Sequence, residues 1–255
     1  MKKFSREVSA SLKHYVYALV DPRTEEIFYV GKGSGATRPF RHLDIRKNDA
    51  ESRKNILIEE LRALSLVPRI DILRHGLDNQ SAREVEAAII DAIGLHRLTN
   101  RNSGSDSADR GRLSASQLEA RLGGQPLDLR DITHPVILFY RRDTFPEDRL
   151  YDETRQFWSV SEARISEKDP DGNLKYQLAF AMRGNFVLEV YRILAWFPAG
   201  TTVSSRTYDP EGKQRRWEFI GSLAEEGIRN SYRNKSLFRG GSPLHATQIG
   251  FRYVG

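Results

Sequence analysis

Two tyrosine-containing segments near the start of the chain constrain its fold more than any other feature. A Tyr-Val-Tyr triplet at residues 15–17 lies in a short apolar run, and a Tyr-Val-Gly-Lys-Gly segment follows at residues 29–33. Between them, residues 21–26 read Asp-Pro-Arg-Thr-Glu-Glu, a composition typical of turns. Two β-prone runs separated by such a cluster predict a β-hairpin that opens into a glycine-rich, basic turn.

The next seventy residues alternate between helical and strand patterns. Residues 55–64 carry apolar side chains at helical spacing before Pro68, and residues 69–74 alternate as a third strand does. Ser81 followed by Glu84 has the spacing of a capping box and predicts the start of a second helix, which Gly94 ends. Its expected buried face consists of Val85, Ala88, Ile89 and Ile93. We therefore expect a first domain at residues 1–102.

The composition changes after this point. Residues 102–111 are small and polar without apolar anchors, and residues 114–122 have a short helical pattern, so we expect a linker at 103–133. An alternative is that this helix packs on the first domain. From residue 134 to 255, short β-prone segments dominate, at 136–140, 176–182, 186–196, 216–220 and 248–254. Helical stretches near 147–157 and 224–232 interrupt them. The sequence predicts an α+β protein whose second domain is a mixed β-barrel.

Charge and cysteine content restrict the possible partners and chemistry. The 255 residues have a formal charge of +6 and a pI near 9.5, which favours a polyanionic partner such as nucleic acid. The absence of cysteine excludes disulfides, thiolate metal sites and cysteine nucleophiles. The sequence has no secretory signal and no apolar stretch of membrane-spanning length, so we expect no membrane partner and a cytoplasmic location.

The first hundred residues contain a set of side chains suited to cutting a phosphodiester. Such cleavage needs a cation at the phosphoryl oxygens, an activated water and stabilisation of the leaving oxygen. The candidates are Tyr17, Tyr29, Arg38, His42, Glu86 and Asn100. Arg38 and His42 are four residues apart, which would place them on one helix face. Arg41 competes with Arg38, and Glu84 competes with Glu86.

In order and spacing, this set resembles the GIY-YIG nuclease family. Residues 15–17 and 29–31 stand where the family has its two tripeptides, although Tyr15 replaces the usual glycine of the first. The remaining four candidates follow in the family's order. The resemblance covers residues 13–102, and the Tyr-Val-Gly-Lys-Gly variant is similar to the subgroup that includes the LEM-domain-associated nucleases.

The resemblance implies a role for each residue. Glu86 would hold one Mg²⁺ or Mn²⁺ ion, with waters as its other ligands, and Arg38 would pair with the scissile phosphate. Tyr17 would activate or position the attacking water, helped by a cation such as Lys32 or by the metal ion, because a free phenol has a pKa of about 10. Tyr29 and His42 would orient the site. Asn100 would hold the helix and the phosphate loop, and Lys32 and Arg41 would contact DNA.

The second domain resembles PUA-type barrels, a family that includes readers of modified bases. The resemblance lies in an Arg-x-x-Trp pattern at 155–158, a long hairpin and an Arg-Trp-Glu-Phe segment at 216–219. It implies that Trp158 cages an extruded base and that Arg233, Lys235 and Arg239 follow the phosphate backbone. Scaffolding or dimerisation is the alternative role.

Together these features predict a restriction-like DNA endonuclease directed to modified foreign DNA. Two other interpretations stay open: a structure-specific nuclease for branched or damaged DNA, and a catalytically silent module that binds nucleic acid. One site per chain implies that double-strand cutting needs a homodimer or two successive nicks.

Overall fold

The computed structural model describes residues 3–44, 52–141, 147–206 and 215–255, which group into two compact units. Residues up to Arg112 form the first unit, and the described residues from Leu113 onward form the second. The division falls after the predicted end of the first domain at 102, and the helix expected in the linker is counted with the second unit. In the described ranges, no helix is long and apolar enough to cross a membrane.

The first unit is a three-stranded antiparallel sheet with helices packed on it. Its elements in chain order are α1 (Arg6–Leu12), β1 (His14–Val20), β2 (Ile27–Ser34), a 3₁₀ helix (Phe40–Leu43), α2 (Arg53–Ala63), β3 (Arg69–Leu77), α3 (Asn79–Ile93), a second 3₁₀ helix (Leu95–Arg97) and α4 (Ser107–Arg110).

The predicted β-hairpin is confirmed, and β1 is the central strand of the sheet. The strand order is β2-β1-β3, and Tyr17 lies opposite Gly31 in the β1–β2 pair. Strand β2 continues through Ser34, so the segment 31–33 is part of a strand. The prediction of a glycine-rich turn at this point was wrong, because pairing with β1 holds these residues extended.

Both faces of β1 are covered, which explains its unbroken apolar sequence. Val16 packs with Ala82 and Ile90 of α3 on one face. Leu19 packs with Ile58 and Leu61 of α2 on the other face. The two helices therefore pack on opposite faces of β1, the strand that carries Tyr15 and Tyr17.

The helix boundaries depend on capping residues. Ser52 caps α2 by accepting a hydrogen bond from the backbone N–H of Asn55. The side chain of Asp78 caps α3 in the same way, by accepting from the backbone N–H of Ser81. The prediction that α3 starts at Ser81 was therefore wrong. So was the prediction that Ala88 is buried, because it lies on the exposed side of α3.

The second unit contains one large and one small sheet. Its elements in chain order are α5 (Ala115–Gly123), β4 (Leu127–Asp128), a 3₁₀ helix (Leu129–Asp131), β5 (Val136–Tyr140), a 3₁₀ helix (Glu147–Arg149), α6 (Leu150–Arg155), α7 (Glu162–Ile165), β6 (Leu178–Arg183), β7 (Phe186–Pro198), β8 (Trp217–Leu223), α8 (Glu226–Tyr232), β9 (Leu237–Arg239), β10 (Ser242–Pro243) and β11 (Phe251–Val254).

The large sheet has the strand order β11-β5-β6-β7-β8, with β5 and β6 parallel and the other pairs antiparallel. Separate apolar clusters cover its two faces. The small sheet has the order β10-β9-β4. Over the described residues, β8 and β11 are the outer strands of the large sheet and do not pair with each other, so no closed barrel forms. The mixed α+β class is confirmed, whereas the barrel is not.

Candidate active site

The two tyrosines of the β-hairpin differ in their exposure. Tyr17 is fully buried, and Tyr29 is half-buried, with 6.3 Å between the ring centroids. Tyr29 lines two adjoining clefts of about 480 and 340 Å³, and Tyr17 lines neither of them. Tyr29 is therefore the phenol that a molecule in the clefts would meet, and Tyr17 stands behind it.

Burial also decides the charge state of both phenols. Desolvation raises the pKa of Tyr17 far above its usual value, and the proximity of Tyr29 raises it further. Desolvation likewise raises the pKa of Tyr29, although the Arg38 guanidinium opposes this shift. Both tyrosines are neutral at physiological pH, so Tyr17 alone is not a base that could take a proton from water.

Arg38 lies beside β2 because Gly33 leaves room for it. A Cβ atom at position 33 would lie 2.7 Å from the Cγ atom of Arg38. Arg38 lines the larger cleft, and its charge lowers the pKa of Tyr17, Tyr29 and Glu86 against the dominant effect of burial. Arg41 lines the same cleft with an exposed side chain. Because the charge of Arg38 acts on Tyr17, Tyr29 and Glu86, we favour Arg38 over Arg41 as the phosphate ligand.

His42 lies in the 3₁₀ helix that follows Arg38. The expected shared helix face is wrong, because Arg38 precedes this short helix. The His42 Nε2 atom is 2.6 Å from the hydroxyl oxygen of Tyr17, and its Nδ1 atom is 2.9 Å from Lys54 Nζ. Burial lowers the pKa of His42 to about 4, assisted by the positive charges of Lys54 and Arg38. His42 is therefore neutral at pH 7.

Glu86 lies on α3 at the junction of the two clefts, which it shares with Tyr29. Its Oε1 atom accepts a hydrogen bond from the backbone N–H of Lys32 at 2.9 Å. Burial raises the pKa of Glu86, and the Lys32 hydrogen bond and charge oppose the shift. The competing Glu84 is exposed and pairs with Arg110 at 2.6 Å. The structure thus favours Glu86 over Glu84.

The contacts of Lys32 differ from its expected role of assisting Tyr17. Its Nζ atom donates to Asn79 Oδ1 at 3.2 Å, and the cation that lowers the pKa of Tyr17 against burial is Arg38. The expected assistance of Tyr17 by Lys32 is therefore not supported. Lys32 instead combines a backbone bond to Glu86 with a side chain in the larger cleft.

Asn100 holds the outer edge of β2. Its Oδ1 atom accepts from the backbone N–H of Val30 at 3.1 Å, and its Nδ2 atom donates to the Val30 carbonyl at 2.7 Å. Val30 stands between Tyr29 and Gly31, and β2 is an outer strand of its sheet. Over the described residues no strand lies beside these two backbone groups of Val30, and the Asn100 amide satisfies both. It fixes the strand that carries Tyr29, consistent with the expected positioning role.

The donor set at Glu86 fits a hydrated divalent ion. Oε1 accepts from the Lys32 backbone, and over the described residues no hydrogen bond engages Oε2, while Glu86 lines both clefts. No group of three or more metal-ligating side chains occurs in the described part of the chain. Mg²⁺ keeps several waters and needs only one or two carboxylates, so a single glutamate suffices.

The candidates from the second unit are not among the residues that line these clefts. Trp158 is only 7% exposed, its indole N–H donates to the Thr154 carbonyl at 2.7 Å, and its ring packs 4.8 Å from that of Phe139. A tryptophan fixed in the core presents no open face to a base, so the expectation of a base cage at Trp158 is wrong in this structure.

The three basic candidates of the second unit lie between α8 and β10. Arg233 is exposed and its Nε atom lies 3.3 Å from Glu189 Oε2, Lys235 is half-buried, and Arg239 is exposed at the end of β9. Because these three residues lie close together along the chain, they remain candidates for phosphate contact.

Lys54 is a site residue that the sequence did not reveal. It lies in the first turn of α2, lines the smaller cleft and has its Nζ atom 5.4 Å from the centroid of the Tyr29 ring. It belongs to no motif, and only the packing of α2 against the sheet brings it to His42.

Comparison with known proteins agrees with this geometry. Residues 14–127 match the family model of the LEM-3-like GIY-YIG domain. This segment is similar to LEM-3-like GIY-YIG domains. The resemblance inferred from the two tyrosine segments is thereby confirmed, and the match extends beyond residue 102.

This segment also resembles part of a curated protein. The chain is 32% identical over 113 residues to the ankyrin repeat and LEM domain-containing protein 1 homolog of Caenorhabditis elegans. The alignment covers 35% of this chain and 16% of that relative, so the similarity spans only a small part of the relative's length. No solved structure matches the chain. All six expected catalytic residues, Tyr17 to Asn100, lie within the segment that matches the family model.

Proposed function

We propose that this chain is a divalent-metal-dependent DNA endonuclease that hydrolyses phosphodiester bonds through its GIY-YIG domain. The observation that carries the proposal is that Tyr29 and Glu86 both line each of the two clefts. The guanidinium of Arg38 lines the larger cleft beside them. A phosphate placed there would meet a cation, a carboxylate able to bind a metal ion and a phenol at the same time.

Each group has a distinct task in this proposal. The Arg38 guanidinium binds the scissile phosphate through paired N–H donors and offsets the charge that develops on it. Tyr29 orients the attacking water, and Tyr17 and His42 hold Tyr29 in place from behind. Glu86 would hold a Mg²⁺ or Mn²⁺ ion, which supplies charge neutralisation at the phosphoryl oxygens and a more acidic bound water.

The walls of the larger cleft supply the general affinity for DNA. Lys32, Arg38 and Arg41 all line it, and the whole chain has a formal charge of +6. Such groups contact phosphates without reading base sequence and make binding depend on salt.

We assign the choice of DNA to the second unit, which gives a restriction-like enzyme directed to modified foreign DNA. The support for this part is its separate core and the basic candidates Arg233, Lys235 and Arg239. Trp158 does not contribute to that support. With one site per chain, double-strand cutting would proceed through a homodimer or through two nicks.

The test combines two matched variants with a panel of substrates. Purified protein, Glu86→Gln and Glu84→Gln would be incubated with Mg²⁺ or Mn²⁺ and plain, base-modified or branched DNA. We expect cleavage by the native chain and by Glu84→Gln, and its loss in Glu86→Gln with DNA binding retained.

The substrate panel separates the finer alternatives. Cleavage confined to modified DNA supports the restriction-like role, whereas cutting of unmodified junctions favours a structure-specific nuclease. DNA binding without cleavage of any substrate would leave a silent binding module. The ratio of nicked to linear plasmid during the reaction distinguishes single from paired cuts.

A further inference from the structure

Lys54 and His42 are joined by a contact whose hydrogen-bond direction follows from elementary chemistry. Lys54 Nζ is 2.9 Å from His42 Nδ1. A lysine ammonium has three donors and no acceptor, so a hydrogen bond at this distance requires Nδ1 to be unprotonated. A neutral imidazole then carries its single proton on Nε2.

The direction of the next hydrogen bond is fixed by the first. His42 Nε2 lies 2.6 Å from the hydroxyl oxygen of Tyr17. If Nε2 carries the proton, it donates to the Tyr17 oxygen, and the hydroxyl hydrogen of Tyr17 must point elsewhere. Tyr17 cannot pass its proton to His42 in this arrangement.

Tyr29 lies beside both of these groups, with its ring centroid 6.3 Å from that of Tyr17 and 4.8 Å from that of His42. Tyr29 lines both clefts.

We propose that Lys54 is a positioning residue that fixes the Nε2–H tautomer of His42 and thereby directs a hydrogen-bond relay from Lys54 through His42 to Tyr17, beside which the Tyr29 ring packs. The Tyr17 oxygen accepts the last hydrogen bond, and the rings of His42 and Tyr17 pack beside the Tyr29 ring at the clefts. The relay deepens the proposed function. Its effect on cleavage rests on that function, whereas the tautomer of His42 does not.

The first test reads the tautomer directly and needs no substrate. Nitrogen-15 NMR of the full chain, with His42 assigned through His42→Gln, distinguishes protonated from unprotonated ring nitrogens. We expect a protonated Nε2 and an unprotonated Nδ1 in the native chain. A protonated Nδ1, in either a neutral ring or an imidazolium, would overturn the proposal.

The second test removes the ammonium and keeps the aliphatic stem. Lys54→Met should give a mixture of His42 tautomers and lower kcat roughly tenfold to a hundredfold with KM unchanged, because the phenols lose their orientation. Lys54→Arg restores a cationic donor and should recover the native tautomer and most of the rate. Arg53→Met, which removes an exposed cation from the same helical turn, is the control and should change neither.

The outcomes separate this relay from other roles. If Lys54→Met raises KM and leaves the ring spectrum unchanged, Lys54 contacts DNA directly and the proposal fails. If the native chain cleaves no DNA but shows the tautomer and its loss in Lys54→Met, the relay holds and the proposed function fails. Should Lys54→Met not fold, the native spectrum and Lys54→Arg decide the assignment.

Discussion

Gly31 lies directly opposite Tyr17 in the β1–β2 pair, and a Cβ atom at position 31 would lie 2.8 Å from the Tyr17 hydroxyl oxygen. It would also lie 2.9 Å from Cε1 of Tyr29. The glycine of the second tyrosine segment therefore provides the space in which the two phenols meet. Its role is steric, because its backbone is in an ordinary extended strand.

Gly31→Ala is expected to displace the phenols without abolishing the fold. Forcing a methyl group into this space should lower the free energy of unfolding by about 1–3 kcal/mol. It should also reduce cleavage by roughly a hundredfold, because displacements of about 1 Å in a site have effects of that size. Denaturant unfolding and single-turnover cleavage measure the two effects.

The control for this prediction is Gly227→Ala. Gly227 is exposed in α8, and a Cβ atom there meets no neighbour. Alanine should stabilise that helix slightly and leave the cleavage rate unchanged. Native cleavage by Gly31→Ala would show that the phenols tolerate displacement and would refute the steric role.

Arg38→Lys and Arg41→Lys should have unequal effects. Lysine keeps the charge but loses the planar pair of donors that holds a phosphate. We expect Arg38→Lys to lower kcat on the order of a hundredfold, and Arg41→Lys to change mainly KM. Equal effects on kcat in a steady-state comparison at constant salt would contradict the assignment of the phosphate to Arg38.

Asn100→Ala should loosen the outer edge of β2. The change leaves the N–H and carbonyl of Val30 without their side-chain partners, which should destabilise the fold by about 1–3 kcal/mol. Cleavage should also fall, because Tyr29 precedes Val30. Thermal unfolding and amide exchange at Val30 measure the effect. Asn102 is exposed and lines the smaller cleft, as Asn100 does, so Asn102→Ala is the matched control. It should change neither the stability nor the rate of cleavage.

His42 should make the stability of the fold depend on pH. Burial lowers its pKa from the model-peptide value of 6.5 to about 4. A histidine whose folded pKa is depressed binds its proton more readily in the unfolded state, so its contribution is full above pH 6.5 and is lost as the pH falls toward 4. The loss should reach roughly 3 kcal/mol near pH 4.

The measurement is a comparison of unfolding free energies between the native chain and His42→Gln from pH 7.5 to 4.5. As the pH falls, the unfolding free energy of the native chain should decrease relative to that of His42→Gln, because glutamine does not titrate. His75→Gln, at an exposed position on β3, controls for the loss of an imidazole. A difference independent of pH would show that His42 titrates normally.

The sequence named candidate site residues most directly where a residue type carries its own chemistry. The tyrosine pair, Arg38, Glu86 and Asn100 were all identified from their order, and the hairpin from its turn cluster. Two details were wrong for local reasons: α3 begins with the cap at Asp78, and β2 extends through Ser34. Capping and strand pairing decide such boundaries, and both depend on a few hydrogen bonds that residue patterns do not specify.

What the sequence by itself determined was the set of reactive groups and the strands and helices that carry them, because side-chain chemistry and apolar periodicity are local properties. Only the tertiary structure decided which phenol meets the clefts, which carboxylate has an open oxygen and which cation touches His42. It also placed Trp158 in the core and left the large sheet open over the described residues. Burial and distance control these outcomes, and both arise from contacts between segments far apart along the chain.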